Sequence, residues 1–96
     1  MPRRSEGLPE GYDVHQRTLA SAIGGRIRTR RQQLDLSQEQ VRAKMELRNV
    51  YISRARFSRL EIGAALPNAA EIIALVSVLQ VSYRWLLGTH EEEEGR

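Results

Sequence analysis

The stretch Leu36–Pro67, LSQEQVRAKMELRNVYISRARFSRLEIGAALP, decides the fold. It contains two short helices with their punctuation. Ser37 is placed to cap backbone N–H groups, and Gln40, three residues on, is placed to return a bond to the cap. Val41 and Met45 then follow at i, i+4 and form one apolar stripe. In SRARFSRL, residues 53–60, Phe57 and Leu60 share a face, while Arg54, Arg56 and Arg59 project elsewhere and Ala55 is small. A first turn with Arg at two of three positions suits a polyanion better than it suits pairing with itself. Gly63 can take a positive φ to stop this helix, and Pro67 ends the loop that follows.

The joint between the two helices admits more than one reading. The first ends near Met45, or runs to Arg48 with Asn49 as a left-handed stop. The next begins at Val50 with Asn49 as its cap, or at Arg54 with Ser53 as its cap. The Ser53 start is preferred, because it brings Arg54 and Arg56 into the first turn.

Upstream, Asp13 is a cap candidate with Gln16 as box partner, for a helix from about Val14 to Leu34. Leu19, Ile23, Ile27 and Leu34 lie near one face. Gly24 and Gly25 weaken it by roughly 1 kcal/mol each against Ala, and mark either close packing or the start of its stable part. Arg26, Arg28, Arg30 and Arg31 crowd its second half, where cations suit the macrodipole; Arg26, Arg28 and Arg30 read as solvated. Downstream, Asn68 and Glu71 form a second capping box. Ile72, Leu75, Val76 and Leu79 keep helical spacing, and Ser82 caps a short helix, Tyr83 to Leu87, stopped by Gly88. The expected core is Ile27, Val41, Phe57, Leu60, Leu75, Leu79 and Trp85, with Leu86 and Leu87 inward. The chain divides into a flexible arm over residues 1–12, a helical domain over 13–88, and an acidic, disordered tail over 89–96.

Ninety-six residues, 41% of them hydrophobic and none of them Cys, fit one small core without disulfides or thiolate metal sites. The formal charge is +3, but from Val14 to Gly88 there are eleven Arg and one Lys against five acidic residues. Such a balance points to nucleic acid or an acidic surface. The longest uncharged run, Ile72 to Tyr83, is about half of a membrane span, and Arg3 and Arg4 precede no apolar run, so neither a membrane segment nor a signal peptide is expected. His15 and His90 lie in peripheral segments. No phosphate loop follows a strand, no carboxylates cluster on one face, and Glu91–Glu94 lacks the spacing of a calcium loop. An enzyme, a metal site and a cofactor are therefore not expected.

With IGGRIRTRRQQLDLSQEQV (23–41), FSRLEIGAALP (57–67) and VSYRWLLG (81–88) in this order and spacing, the chain resembles the phage-repressor and Cro-like helix-turn-helix regulators, the xenobiotic-response-element family. The likeness runs from about Ile23 to Gly88. It implies an all-α domain of five short helices, the third lying in the major groove. Carried over, Gln38 matches a residue that touches a phosphate or braces a base-reading side chain. Arg54, Ala55 and Arg56 match the first turn that reads base edges, and Arg59 a groove-facing position one turn later. Ser58 matches a small residue against helix two. Arg31 and Glu61 match a structural pair between helix one and the end of helix three. The sequence departs at Arg30, usually Leu; at Asp35, usually Gly; at Ala64 and Ala65, usually polar or basic; and in about five extra residues around Glu46 to Tyr51.

The reading so assembled is a sequence-specific DNA-binding regulator, a repressor by resemblance, with Gln38, Arg48, Asn49, Ser53, Arg54, Ala55, Arg56 and Arg59 on double-stranded DNA. Arg48 and Asn49 offer phosphate contacts in place of those lost at Ala64 and Ala65. One domain reads a half-site, so a homodimer is expected, in a bacterial or phage-derived cytoplasmic setting. The competing reading is a protein-interaction module, such as an antitoxin or adaptor, with the long joint between helices two and three as its partner site.

Overall fold

A computed structural model describes residues 11–88. The chain folds into α1 (Tyr12–Gln33), α2 (Gln38–Glu46), α3 (Arg54–Glu61), α4 (Ala69–Leu79) and α5 (Tyr83–Leu87), with no strand among the described residues. The expected arm, Gly11 and Tyr12 apart, and the acidic tail lie outside the described residues.

The helix starts follow from local chemistry. Ser37 accepts from the Gln40 N–H at 3.0 Å while the Gln40 side chain accepts from the Ser37 N–H at 2.8 Å. Asn68 and Glu71 make the same reciprocal pair, both bonds 2.8 Å. Ser53 caps α3 through the Arg56 N–H, and Ser82 caps α5 through the Trp85 N–H. α1 differs from its expected start: Gly11 precedes it with no side-chain cap, and Asp13 sits inside the first turn. A carboxylate there favours the positive end of the helix dipole without capping it.

Four helix ends share one closure. After α1, α2, α3 and α4 a residue with positive φ (Asp35, Asn49, Gly63, Gln80) turns the chain. The next residue's N–H then reaches back five positions: Leu36 to the Arg31 carbonyl, Val50 to Met45, Ala64 to Arg59, and Val81 to Val76. That ring satisfies carbonyls the helix end would leave bare. Only Gly63 does so without steric cost. Asn49 is thus the stop of α2 and Ser53 the cap of α3, with Leu47–Ser53 as the joint between them.

α1 packs on α3, α4 and α5, and α2 on α3 and α4. Ile27, Val41, Met45, Phe57, Leu75, Leu79 and Leu86 are fully enclosed between them. Trp85 departs from its expected core place. Cap geometry turns Leu86, four residues after Ser82, inward, and leaves Trp85 half-buried in a groove with Arg30, Gln33 and Val81. Gly24 marks a close approach: a Cβ there would run into the Leu60 carbonyl oxygen and lie 2.9 Å from that of Glu61, whereas one on Gly25 would meet nothing within 4 Å. Two of the Arg side chains read as solvated are half-buried. Arg30 donates to the Leu79 carbonyl at 2.9 Å, and Arg26 to that of Leu86 at 3.4 Å. Each sets a cation on the last carbonyls of another helix, which explains Arg where a Leu is usual at position 30.

Candidate nucleic-acid interface

α3 is held on three sides by side chains whose charge or amide the core would otherwise reject. On the α1 side, Arg31 forks onto Glu61, Nε to Oε2 at 2.6 Å and Nη2 to Oε1 at 2.9 Å, and its Nη1 donates to the Leu36 carbonyl at 2.9 Å. Glu61 is buried, and the matched fork compensates its desolvation. The hydrogen bond it donates to Glu61 holds the Arg31 guanidinium above its ordinary pKa, against the opposing effect of burial. On the α2 side, Gln38 donates to Glu61 Oε1 at 2.9 Å and accepts from the Ser58 hydroxyl at 3.1 Å. A carboxylate only accepts, so the amide nitrogen faces it. Gln38 thereby braces α3 from the first turn of α2, and Ser58 lies against α2.

On the α4 side stands Arg56. Its Nε donates to Glu71 Oε2 at 2.8 Å and its Nη2 to Oε1 at 2.9 Å; Nη2 also lies 3.1 Å from the Leu66 carbonyl oxygen. The Arg56 fork, expected on a base edge, is engaged within the domain by Glu71. The fork is closed on a buried carboxylate, and extending it outward would leave Glu71 without its ion pair. Arg48, expected on a phosphate, is exposed and also makes bonds within the domain. Its Nε donates to the Ser77 hydroxyl on α4 at 2.9 Å and its Nη1 to the Lys44 carbonyl at 3.0 Å. Arg48 and Asn49 stand at the far end of α2, about 15 Å along its axis from Gln38.

The outer face of α3 remains. Arg54, Ala55 and Arg59 are exposed there, with Ser53 at its head and Ser58 partly covered. Arg54 makes no hydrogen bond or ion pair among the described residues. Arg59 donates from Nη2 to the Ala64 carbonyl at 3.1 Å. The face continues into Ile62, 72% exposed, and the small-residue loop from Gly63 to Ala65. Just ahead of Ser53, Tyr51 is 71% exposed while its neighbour Ile52 is buried. Arg42 fixes that joint, with Nε on the Ile52 carbonyl at 3.0 Å and Nη1 on Glu39 at 2.9 Å. The roles of Arg42 and Tyr51 depend on the path of the joint, for which the sequence carries no periodic signal. Among the described residues no group of three or more His, Cys, Asp or Glu side chains forms a metal site, and no helix is long and apolar enough to cross a membrane.

Five helices, the second and third joined at a turn and the third exposing a basic face, define an all-α helix-turn-helix domain. A family model described as a helix-turn-helix domain matches residues 22–84, and the chain belongs to that family. Its coarse functional class is accordingly DNA binding in regulation, and domains of this class are typically not enzymes. Neither the comparison with curated proteins nor that with solved structures gives a match.

Proposed function

We propose that the protein is a transcriptional regulator of the phage-repressor type, most simply a repressor, which lays α3 in the major groove of double-stranded DNA. The observation that carries this reading is the contrast between the two sides of α3. Its inner side is tied to α1, α2 and α4 by Arg31, Gln38 and Arg56, and its outer side leaves Arg54, Ala55 and Arg59 exposed. A helix so braced pays little ordering entropy when it meets a fixed groove. Arg54 supplies a fork for guanine O6 and N7, worth roughly 1–3 kcal/mol of discrimination, and Ala55 fits a thymine methyl. The N–H groups that open α2 and the Ser53 hydroxyl suit phosphates. Arg56 acts through its hold on α4, as a positioning residue. A two-fold dimer reading half-sites about 34 Å apart would complete the operator contact. The proposed organisation is an N-terminal arm, a DNA-binding domain and an acidic tail, working in a cytoplasm.

The test is selection from a random duplex library, with the Arg54→Ala, Arg59→Ala double variant run alongside. An enriched inverted repeat that the variant loses supports a dimeric reader using α3. No enrichment from the unaltered chain overturns the reading. One observation favours the interaction-module alternative: Leu47, at 82% exposure, and Tyr51 stand out from the α2–α3 joint, an apolar surface suited to a protein partner. Binding that ignores sequence and vanishes at moderate salt would put that alternative ahead.

A further inference from the structure

α1 begins ten residues before the family match, and this extension carries an arginine that the helix-turn-helix core leaves out of account. Residues 17, 21, 24 and 28 recur at i, i+4, i+7 and i+11, so they share one edge of α1. The middle two fix where that edge lies. Gly24 abuts the Leu60 and Glu61 carbonyls, and a Cβ on Gly63 would stand 2.7 Å from the Ser21 Cα. The edge is therefore pressed on the C-terminal end of α3. Arg17 and Arg28, about 16 Å apart along the axis, flank that contact on either side. Both are exposed, and neither has a hydrogen bond or ion pair among the described residues.

Arg17 also meets the loop after α3. With Gln16 and Ala20 it lines a groove of about 330 Å³ whose other wall is Gly63 to Leu66. That wall carries no charged or polar side chain. Across the loop, Arg59 reaches the Ala64 carbonyl. Asp13, the only acidic residue in α1, stands one turn before Arg17, and none stands within a turn of Arg28 along the helix.

From this arrangement we infer that the α1 edge bearing Arg17 and Arg28 is a second binding site for the DNA backbone, with Arg17 serving the groove beside Ala64 and Ala65. The inference rests on the proposed placement of α3. The major groove is about 12 Å wide, and a helix with its side chains nearly fills it. Whatever flanks the helix then stands at the phosphate walls. On this reading Arg17, beside the loop after α3, and Arg28, past the Gly24 contact, meet those walls, and as phosphate contacts they fix register without reading bases.

The test measures equilibrium binding to one fixed duplex, chosen by the selection above, over a range of salt concentrations. The proteins are the unaltered chain, Arg17→Gln, Arg17→Lys, Arg28→Gln and Arg54→Ala. Each Gln variant should lower the slope of log K against log salt by about 0.9, and weaken binding roughly fivefold near 0.15 M salt. Base preference should stay the same, and Arg17→Lys should keep the original slope. Thermal melting checks that each variant is folded. If Arg17→Gln and Arg28→Gln leave affinity and slope unchanged while Arg54→Ala weakens binding, the inference is overturned and the proposed function stands. If the unaltered chain binds no duplex, the proposed function fails and takes the inference with it.

Discussion

Arg56 on the first turn of α3 and Glu71 on the first turn of α4 close a two-bond fork, at 2.8 and 2.9 Å, around a carboxylate that also accepts the Asn68 N–H. One group thus caps α4 and tethers the front of α3. Because Glu71 is buried, losing Arg56 strands a charge rather than merely removing a contact. Arg56→Ala should cost about 2 kcal/mol, a value that allows for the partly exposed guanidinium. Denaturant melts of Arg56→Ala, Glu71→Gln and the double variant would show it. The double variant should be more stable than the sum of the single losses implies.

The same pair sets an acid limit. Burial pushes the Glu71 carboxyl up, but the Arg56 fork and the Asn68 N–H together outweigh burial and hold it below its ordinary value of 4.5. A depressed folded value means the stabilisation is complete above the ordinary value. It fades as pH falls from there through the folded value, where the native carboxyl finally takes a proton. Melting temperature followed from about pH 6 to about pH 3 should fall more steeply for the natural chain than for Glu71→Gln.

Adjacent glycines in α1 should respond in opposite directions. Gly24→Ala drives a methyl into the α3 backbone, which cannot swing aside as a side chain would, and should cost about 2–3 kcal/mol. Gly25→Ala enters open space and should add about 0.5–1 kcal/mol through helix propensity alone. Equal effects in thermal melts would contradict the packing of α1 on α3.

Gln80 ends α4 at φ 58°, a conformation that costs a side chain about 1–2 kcal/mol. Gly removes that strain but returns freedom to the unfolded chain. Gln80→Gly should therefore raise stability by about 0.5–1 kcal/mol and the melting temperature by a few degrees. DNA affinity should not change, since Gln80 borders a groove with Leu34, Lys44 and Leu47 rather than with any residue of α3.

Local chemistry in this chain was readable and distant chemistry was not. Ser37, Ser53, Asn68 and Ser82 cap within three residues of themselves, so their spacing announces them. The Arg31–Glu61 pair is thirty residues apart and emerged only through the resemblance. Nothing near Arg56 distinguishes it from Arg54. Its partner lies fifteen residues on, in another helix, and only the packing of α4 against the front of α3 selects which of the two is tied down. Arg26 and Arg30 read as a solvated cluster in sequence because the carbonyls they meet belong to α5 and α4. The place of Arg17 is not legible in the sequence, because the glycine contacts that orient its edge of α1 involve the end of α3 and the loop after it, far along the chain.

The attachments of α3 carry one more consequence. Its direction is fixed by α1, by the opening of α2 and by α4, while Leu47–Ser53 is held separately, by Ile52 in the core, by Arg42 on the Ile52 carbonyl and by Arg48 on Ser77. The joint is a strap rather than a hinge. Descendants of this sequence, or a designer, have room to change the exposed Leu47 and Tyr51 side chains while α3 keeps its heading. Under the proposed function, new binding partners can be recruited there without altering the side chains on the outer face of α3.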